Sequence, residues 1–161
     1  MPRLPKWMTL WLLLSTPVVL WDASFVLLRP HSFPDGSLGM FWSFGYTIYL
    51  QVDLGYADLQ NRFVEVLAVI SIAESLVVAF ALWANYRQKT RLAHTLVAAV
   101  TALTGLKTIL FFAVEPMYGW PSVGHNDWAS LICFWLIPNG LWVVFPLTIS
   151  ALCIQRLRAA Q

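Results

Sequence analysis

The sequence predicts an all-α membrane protein, built as one bundle of four transmembrane helices with an interfacial helix in the first loop. The first observation behind this prediction is a deficit of charge: 11% of the 161 residues are charged, whereas soluble domains carry about 25%. The second is a set of apolar stretches that each meet the length of roughly 20 residues needed to cross a bilayer. Because the chain is too short for two domains, we treat residues 1–161 as one transmembrane domain.

The predicted spans are apolar segments separated by polar turns, and they cover residues 8–28, 63–86, 92–114 and 128–154. The first follows Arg3 and Lys6, which gives it some likeness to a secretory signal. Its apolar run continues to Leu28 without a convincing small-residue cleavage site. This favours a retained first helix.

The long connection between the first two spans contains an aromatic segment at residues 39–53. Trp and Tyr favour the depth of the lipid headgroups, and the segment is short for a span. We therefore expect a helix that lies at the interface or packs over the mouth of the bundle.

Basic residues predict the orientation of the bundle. With four crossings, both termini and the turn at 87–91 lie on one side of the membrane. Two basic residues, Arg29 and Arg62, fall on the opposite side. The terminal side holds seven: Arg3, Lys6, Arg87, Lys89, Arg91, Arg156 and Arg158. Because basic loops stay in the cytosol, we expect both termini to be cytosolic.

Several classes of function are disfavoured by the composition. A net charge of +2 without a basic stripe argues against a nucleic-acid partner. His31, His94 and His125 show no metal-ligand spacing, and no phosphate-binding glycine loop or serine nucleophile motif is present. Cys133 and Cys153 lie about 30 Å apart along one helix, too far for a disulfide. We expect no metal and no cofactor.

Five polar or aromatic side chains fall at a similar depth in the predicted spans. The helical rise places them roughly 10–21 Å below the non-cytosolic interface. They are Asp22, Glu74, Lys107, Asn139 and Trp142. A charge in mid-bilayer costs about 2.5–3.5 kcal/mol on insertion scales, so their convergence predicts one shared site. Carboxylates, a carboxamide and an aromatic face all stabilise positive charge.

A structural interpretation of the same residues stays open. Asp22, Glu74 and Lys107 also suit a buried ion-pair network, and a lone Asn139 is typical of a hydrogen bond between helices. The oligomeric state, a homodimer included, is not determined, because the glycines of the spans form no strong small-xxx-small stripe.

Motifs along most of the chain resemble a known family. The segment from Asn139 to Pro146, NGLWVVFP, matches the pattern Asn-x-Leu-Trp-x-x-x-Pro of the sterol isomerases of the EXPERA family, which are four-helix proteins of the endoplasmic reticulum. The first-helix segment WDASFVLL places Asp22 where those emopamil-binding-type isomerases carry Glu and the related sigma-2 receptor carries Asp.

Three further segments resemble the family. Tyr56-Ala-Asp58 is similar to its aromatic-x-Asp signature before the second helix, and Glu74 falls where both relatives carry a buried Glu. The run LFFAVEPMYG, which contains Glu115, is similar to an aromatic run of the isomerase that is followed by Glu, three residues and Gly.

The resemblance implies a V-shaped cavity that binds hydrophobic amines and sterols in an endoplasmic-reticulum membrane. It also implies a reaction in which an alkene is protonated, a tertiary carbocation forms and a neighbouring proton leaves. The expected catalytic residues are Asp22, Glu74, Lys107 and Glu115, with the first two shuttling protons and Lys107 setting their protonation. The expected substrate-binding residues are Asn139, Trp142, Tyr56, Asp58 and Trp21.

Two departures from the family pattern affect the expected activity. Val18 stands where the isomerase has a proton-transferring His, and Lys107 has no recognised counterpart. We therefore expect an isomerase or cyclase for a sterol-like or terpenoid lipid, since plant and fungal relatives act on specialised terpenoids. The alternative is a lipid- or amine-binding receptor or trafficking protein like the sigma-2 receptor, which needs only one acid.

Overall fold

The computed structural model describes residues 1–160 and is all-α, with four helices long and apolar enough to cross a membrane. This confirms the predicted fold class. Its helices are α1 (Lys6–Leu27), α2 (Ser43–Val52), α3 (Leu54–Ala57), α4 (Arg62–Tyr86), α5 (Thr90–Met117), α6 (Trp128–Ser130) and α7 (Ile137–Ala159). The π-helical segment Leu131–Leu136 joins α6 to α7, so the fourth span is continuous over Trp128–Ala159.

The ends of the spans extend a few residues beyond the predicted bounds. The third span passes through Pro116 to Met117, and the fourth continues to Ala159. Arg156 and Arg158 lie in the last turn of α7, where positive charge interacts favourably with the helix dipole. The spans therefore include polar turns that apolar length alone does not detect.

The first loop contains the predicted short helix, which covers Ser43–Val52 rather than all of residues 39–53. A 3-10 turn at Gly39–Phe41 leads into α2, and α3 begins after Asp53. Asp53 has extended backbone, and its Oδ1 accepts a hydrogen bond from the N–H of Gly55 at 2.9 Å, which is the usual action of an N-cap residue. The α2 helix turns Tyr46 into the bundle and exposes Phe44 completely.

The spans pack in the order α1, α4, α5 and α7. Near the termini, an apolar core surrounds Met8, Leu12, Val97 and Ile149, and the N–H of Leu4 donates to Oδ1 of Asn85 at 2.9 Å. At the opposite end a second core forms between the first two spans and the first loop. Its buried members are Ala23, Phe25, Val26, Trp42, Tyr46, Val64 and Ala68.

The connection between the third and fourth spans packs against the first loop. The N–H of Leu54 donates to the carbonyl of Ser122 at 3.1 Å, and Nδ2 of Asn126 donates to the carbonyl of Val52 at 2.8 Å. Val123, in the same connection, is fully buried and packs with Val52 and Trp135. These contacts hold α2 and α3 over the end of the bundle opposite to the termini.

Gly105 sets the close approach of the third and fourth spans. A Cβ at this position would lie 2.6 Å from Cγ and Cδ2 of Leu147. We predict that Gly105→Ala lowers stability by about 1–3 kcal/mol through overpacking, seen as a fall in the Tm of the protein in detergent. Gly140→Ala is the matched control, because a Cβ there meets no atom within 4 Å. A Gly105→Ala protein that melts like the control would contradict this packing.

Candidate functional site

A cavity of about 280 Å³ lies among the four spans, beneath α2. It is lined by all five side chains that the sequence places at one depth: Asp22, Glu74, Lys107, Asn139 and Trp142. Trp21 and Tyr56, two of the expected substrate-binding residues, line it as well. Each of the four spans thus contributes at least one polar or aromatic group to the same chamber.

The Asp22 carboxyl group accepts hydrogen bonds from tyrosines of the first loop. The hydroxyl of Tyr46, on α2, donates to Oδ1 of Asp22, and the hydroxyl of Tyr56, on α3, lies 3.5 Å from Oδ2. Burial, together with the nearby Asp22 charge, raises the pKa of both phenols well above their usual value. Both tyrosines therefore stay protonated and act as hydrogen-bond donors to Asp22.

Glu74 and Lys107 form an ion pair within the membrane. Nζ of Lys107 lies 2.7 Å from Oε2 of Glu74 and donates to Oγ of Ser71 at 2.6 Å. The two charged side chains are 6% and 11% exposed. Oε1 of Glu74 is buried and accepts no hydrogen bond within residues 1–160. The pair is neutral as a unit, so Asp22 is the one lining acid without a cationic partner among the described residues.

The π-helical segment positions Asn139. Pro138 has no N–H to donate. In the π-helical segment before it, each backbone hydrogen bond spans one residue more than in an α-helix. Nδ2 of Asn139 donates to the carbonyl of Trp135 at 2.8 Å and lies 3.4 Å from the hydroxyl of Tyr49. The carboxamide is thereby fixed at the cavity wall, next to the tyrosines of α2.

Aromatic rings form much of the remaining wall. Tyr46 stacks on Phe25 with ring centroids 3.6 Å apart, and Tyr56 contacts Tyr49 edge-on at 5.0 Å. The ring of Trp142 also lines the cavity, and its centroid lies 5.7 Å from that of Trp11. Such faces stabilise a nearby positive charge without reacting with it.

Two of the predicted site residues lie elsewhere. Oε2 of Glu115 accepts hydrogen bonds from the N–H groups of Ser122 and Val123 at 3.2 and 3.3 Å. Asp58 caps its own turn, with Oδ1 accepting from the N–H of Gln60 at 2.8 Å. Neither lines the cavity. Their side chains hold loops, and the structure gives them no contact with the chamber.

Several lining residues were not predicted from the sequence. They are Val18, Tyr46, Tyr49, Ser71, Thr104, Thr108 and Phe111, among others. Ser71 precedes Glu74 by three residues and Thr104 precedes Lys107 by three, so helical periodicity puts each on the face of its charged neighbour. This spacing was a usable signal for both.

Asp53 is a buried acid that the sequence did not single out. Its Oδ2 accepts from Nε1 of Trp135 at 3.1 Å, which ties the first loop to the π-helical segment. Burial raises the pKa of Asp53 to about 6, against the opposing effect of the hydrogen bonds from Trp135 and Gly55. Asp53 lies outside the cavity and supports the elements that enclose it.

Comparison with protein-family models, with curated proteins and with solved structures gives no match to this chain. The family resemblance read from the motifs therefore stays a prediction. Within residues 1–160, no three His, Cys, Asp or Glu side chains lie together in a way that could hold a metal ion. The cavity is therefore the feature of this chain that bears on its function.

Asp53 predicts a pH dependence of stability. Its folded-state pKa of about 6 lies above the unfolded value, so its contribution is fully present below about pH 3.9 and is lost as the pH rises through 6. Between pH 5 and 7.5 the loss is roughly 1–1.5 kcal/mol. We expect the Tm of the wild type to fall over this range more than that of Asp53→Asn. Asp35→Asn, in an exposed loop, is the control and should follow the wild type.

The ion pair predicts strong coupling between Glu74 and Lys107. Lys107→Met leaves a buried carboxylate without its partner, which costs about 3–5 kcal/mol in comparable cases, and should lower the Tm sharply. The double variant Lys107→Met with Glu74→Gln should recover much of that loss. A thermal-stability cycle of the wild type, two single variants and the double variant measures the coupling. Additive single and double effects would contradict it.

Proposed function

We propose that this chain is a membrane isomerase or cyclase of the EXPERA type, which protonates an alkene or epoxide of a sterol-like or terpenoid lipid and guides the resulting cation. The observation that carries the proposal is the shared cavity, which is lined by Asp22, by an ion-paired Glu74 and by aromatic rings. Two acids from separate spans line one largely apolar cavity, and this arrangement suits proton transfer to and from a hydrocarbon.

One turnover consists of two proton transfers, after which Glu74 releases its proton to solvent and Asp22 takes one up, so the cycle closes. Asp22 in its carboxylic acid form gives a proton to one alkene carbon, and the π electrons form the new C–H bond. A tertiary cation remains on the other carbon, opposite the Asp22 carboxylate that has just formed. The Glu74 carboxylate then takes a neighbouring proton, and that C–H electron pair becomes the shifted double bond. Lys107 occupies Oε2 of Glu74 at 2.7 Å, so Oε1 is the oxygen that receives this proton.

Charge is conserved inside the cavity along this path. Before reaction, protonated Asp22 and the Glu74–Lys107 pair carry no net charge. In the intermediate, the Asp22 carboxylate balances the lipid cation, and Trp142 and the tyrosine rings supply further stabilisation. A low-dielectric site disfavours any step that creates net charge, so this neutrality supports the assignment of roles.

The size of the cavity bears on the substrate. Ligand sites commonly enclose roughly 300–1,000 Å³, and about 280 Å³ lies just below that range. The chamber therefore suits the reacting portion of a lipid, while the rest of the molecule extends toward the bilayer.

One observation favours a second function, that of a receptor like the sigma-2 receptor. Because Lys107 neutralises Glu74, Asp22 alone is left to balance a charge, and one acid is enough to hold the ammonium of a lipid-like amine. Such a protein would bind or move lipids without turning them over.

We also propose that both termini are cytosolic, in an endoplasmic-reticulum membrane. Arg3 donates to the carbonyl of Tyr86 at 3.4 Å, so the N-terminus lies beside the basic turn after α4. The basic residues of the termini and of this turn thus share one end of the bundle, as the positive-inside rule requires of a cytosolic face.

Deuterium incorporation tests the proposed isomerase. The protein is purified in detergent, the lipids that accompany it are identified by mass spectrometry, and sterol and triterpenoid alkenes are offered in D₂O. We expect deuterium at the carbon that receives the proton. Asp22→Asn should lower the rate by about 10²- to 10⁴-fold, the usual contribution of a general acid. Asp35→Asn should retain the wild-type rate.

The remaining outcomes separate the alternatives. Absence of deuterium, combined with tight binding of a hydrophobic amine that Asp22→Asn abolishes, would favour the receptor. If Asp22→Asn leaves binding and turnover intact and only lowers the Tm, the polar groups are a structural network and both functions are wrong.

A further inference from the structure

A second, smaller cavity adjoins the first on the side of Glu74 that faces the chain termini. Its volume is about 40 Å³, and all four spans contribute to its wall. Glu74 and Trp142 line both cavities, so the Glu74 carboxylate stands between a large chamber and a small one. The small one excludes a lipid, but it exceeds the roughly 10–15 Å³ that one water molecule needs.

The wall of the small cavity is rich in hydroxyl groups that act as acceptors. Thr16, Ser75 and Thr101 line it, and each donates its hydrogen to the carbonyl one turn earlier in its own helix, at 2.6–2.8 Å. Each oxygen therefore keeps lone pairs for a further bond and has no hydrogen left to give. These three oxygens therefore favour a ligand that donates hydrogen bonds.

Glu74 presents the strongest acceptor. Its Oε2 is used by Lys107, whereas Oε1 is buried and accepts no hydrogen bond in the described part of the chain. Glu74 as a whole is 5% exposed. Buried polar atoms in folded proteins are almost always paired, and a donor in the small cavity would satisfy this one.

Water fits these requirements better than a cation does. The charge of Glu74 is already balanced by Lys107, so a metal ion would find no uncompensated acid in the wall. A hard divalent cation also needs about six oxygen ligands with carboxylates among them. Water supplies two donors, is neutral and matches the volume.

We propose that the small cavity is an internal water site, in which water donates a hydrogen bond to Oε1 of Glu74 and exchanges hydrogen with it. The exchange converts a protonated Glu74 and D₂O into a deuterated Glu74 and HOD, with no net change in charge. The role of this exchange in catalysis rests on the proposed function. After Glu74 takes a proton from the lipid, that hydrogen exchanges with the water of the small cavity, on the side of Glu74 away from the lipid. Ser75 and Thr101 are positioning residues for this water.

Radiolytic footprinting in H₂¹⁸O tests the water site without any lipid substrate. Short X-ray pulses generate hydroxyl radicals from bound water, and mass spectrometry locates the oxygen added to nearby side chains. Leu12 and Pro146 are buried and line only the small cavity. We expect both to be modified at least fivefold more than Ile149, which is fully buried in the apolar core.

Variants connect the labelling to the hydroxyl groups. Ser75→Ala with Thr101→Val should reduce modification of Leu12 and Pro146 to the level of Ile149. Thr95→Val is the matched control, since Thr95 donates to the Arg91 carbonyl at 3.0 Å on the same helix but lies outside both cavities. If the double variant does not fold, Thr101→Val alone should give a partial reduction.

Two results would overturn the water site: modification of Leu12 and Pro146 no greater than that of Ile149 in the wild type, or unchanged modification in the folded double variant. Footprinting uses no lipid, so its failure is distinct from that of the proposed function. Labelled Leu12 and Pro146 in a protein that incorporates no deuterium into lipids would support the water site and reject the isomerase.

Discussion

The cost of placing charge inside a hydrocarbon layer governs this structure. Glu74 on the second span and Lys107 on the third are each expensive alone, and they lie 2.7 Å apart. A buried carboxylate and ammonium pay much of their desolvation cost back only when their geometry is good and their remaining hydrogen bonds are made. The pair therefore fixes the rotation of two helices about their axes and directs their polar faces into the bundle.

The first loop completes the enclosure by a different means. Tyr46 and Tyr56 bring hydroxyl groups to Asp22 while their rings pack on Phe25 and its neighbours. Asp53 joins this loop to Trp135, and Asn126 joins it to the connection between the third and fourth spans. Polar contacts in two loops thus hold the tyrosines of the first loop over the cavity, whose wall also contains the Glu74–Lys107 ion pair.

The fold and much of the site could be predicted because their causes are local or periodic. Apolar length defines the four spans, and helical rise alone places Asp22, Glu74, Lys107, Asn139 and Trp142 in one layer, where the structure has them lining one cavity. What could not be predicted depends on long-range contacts. The direction of a side chain in an irregular loop, such as Asp58, and the use of Glu115 to bind backbone N–H groups follow from how segments meet in space. The hydrogen bond from Tyr46 to Asp22 could not be predicted, because it depends on where α2 packs, and sequence periodicity does not determine that position.

The packing of the first span against the last affects how the affinity of a proposed lipid ligand would be measured. Between the first and last spans, Trp11 stacks on Phe145 and lies close to Trp142, while the two ends of the bundle are closed by the apolar core and by the loops. A lipid of the proposed kind that entered between these two spans would arrive from the hydrocarbon, where its concentration is set by partitioning out of water. Apparent dissociation constants would then scale with the amount of bilayer or detergent in the assay. A more hydrophobic compound would show a higher apparent affinity without making better contacts in the cavity. The affinity of such a ligand would be meaningful as a mole fraction in the membrane.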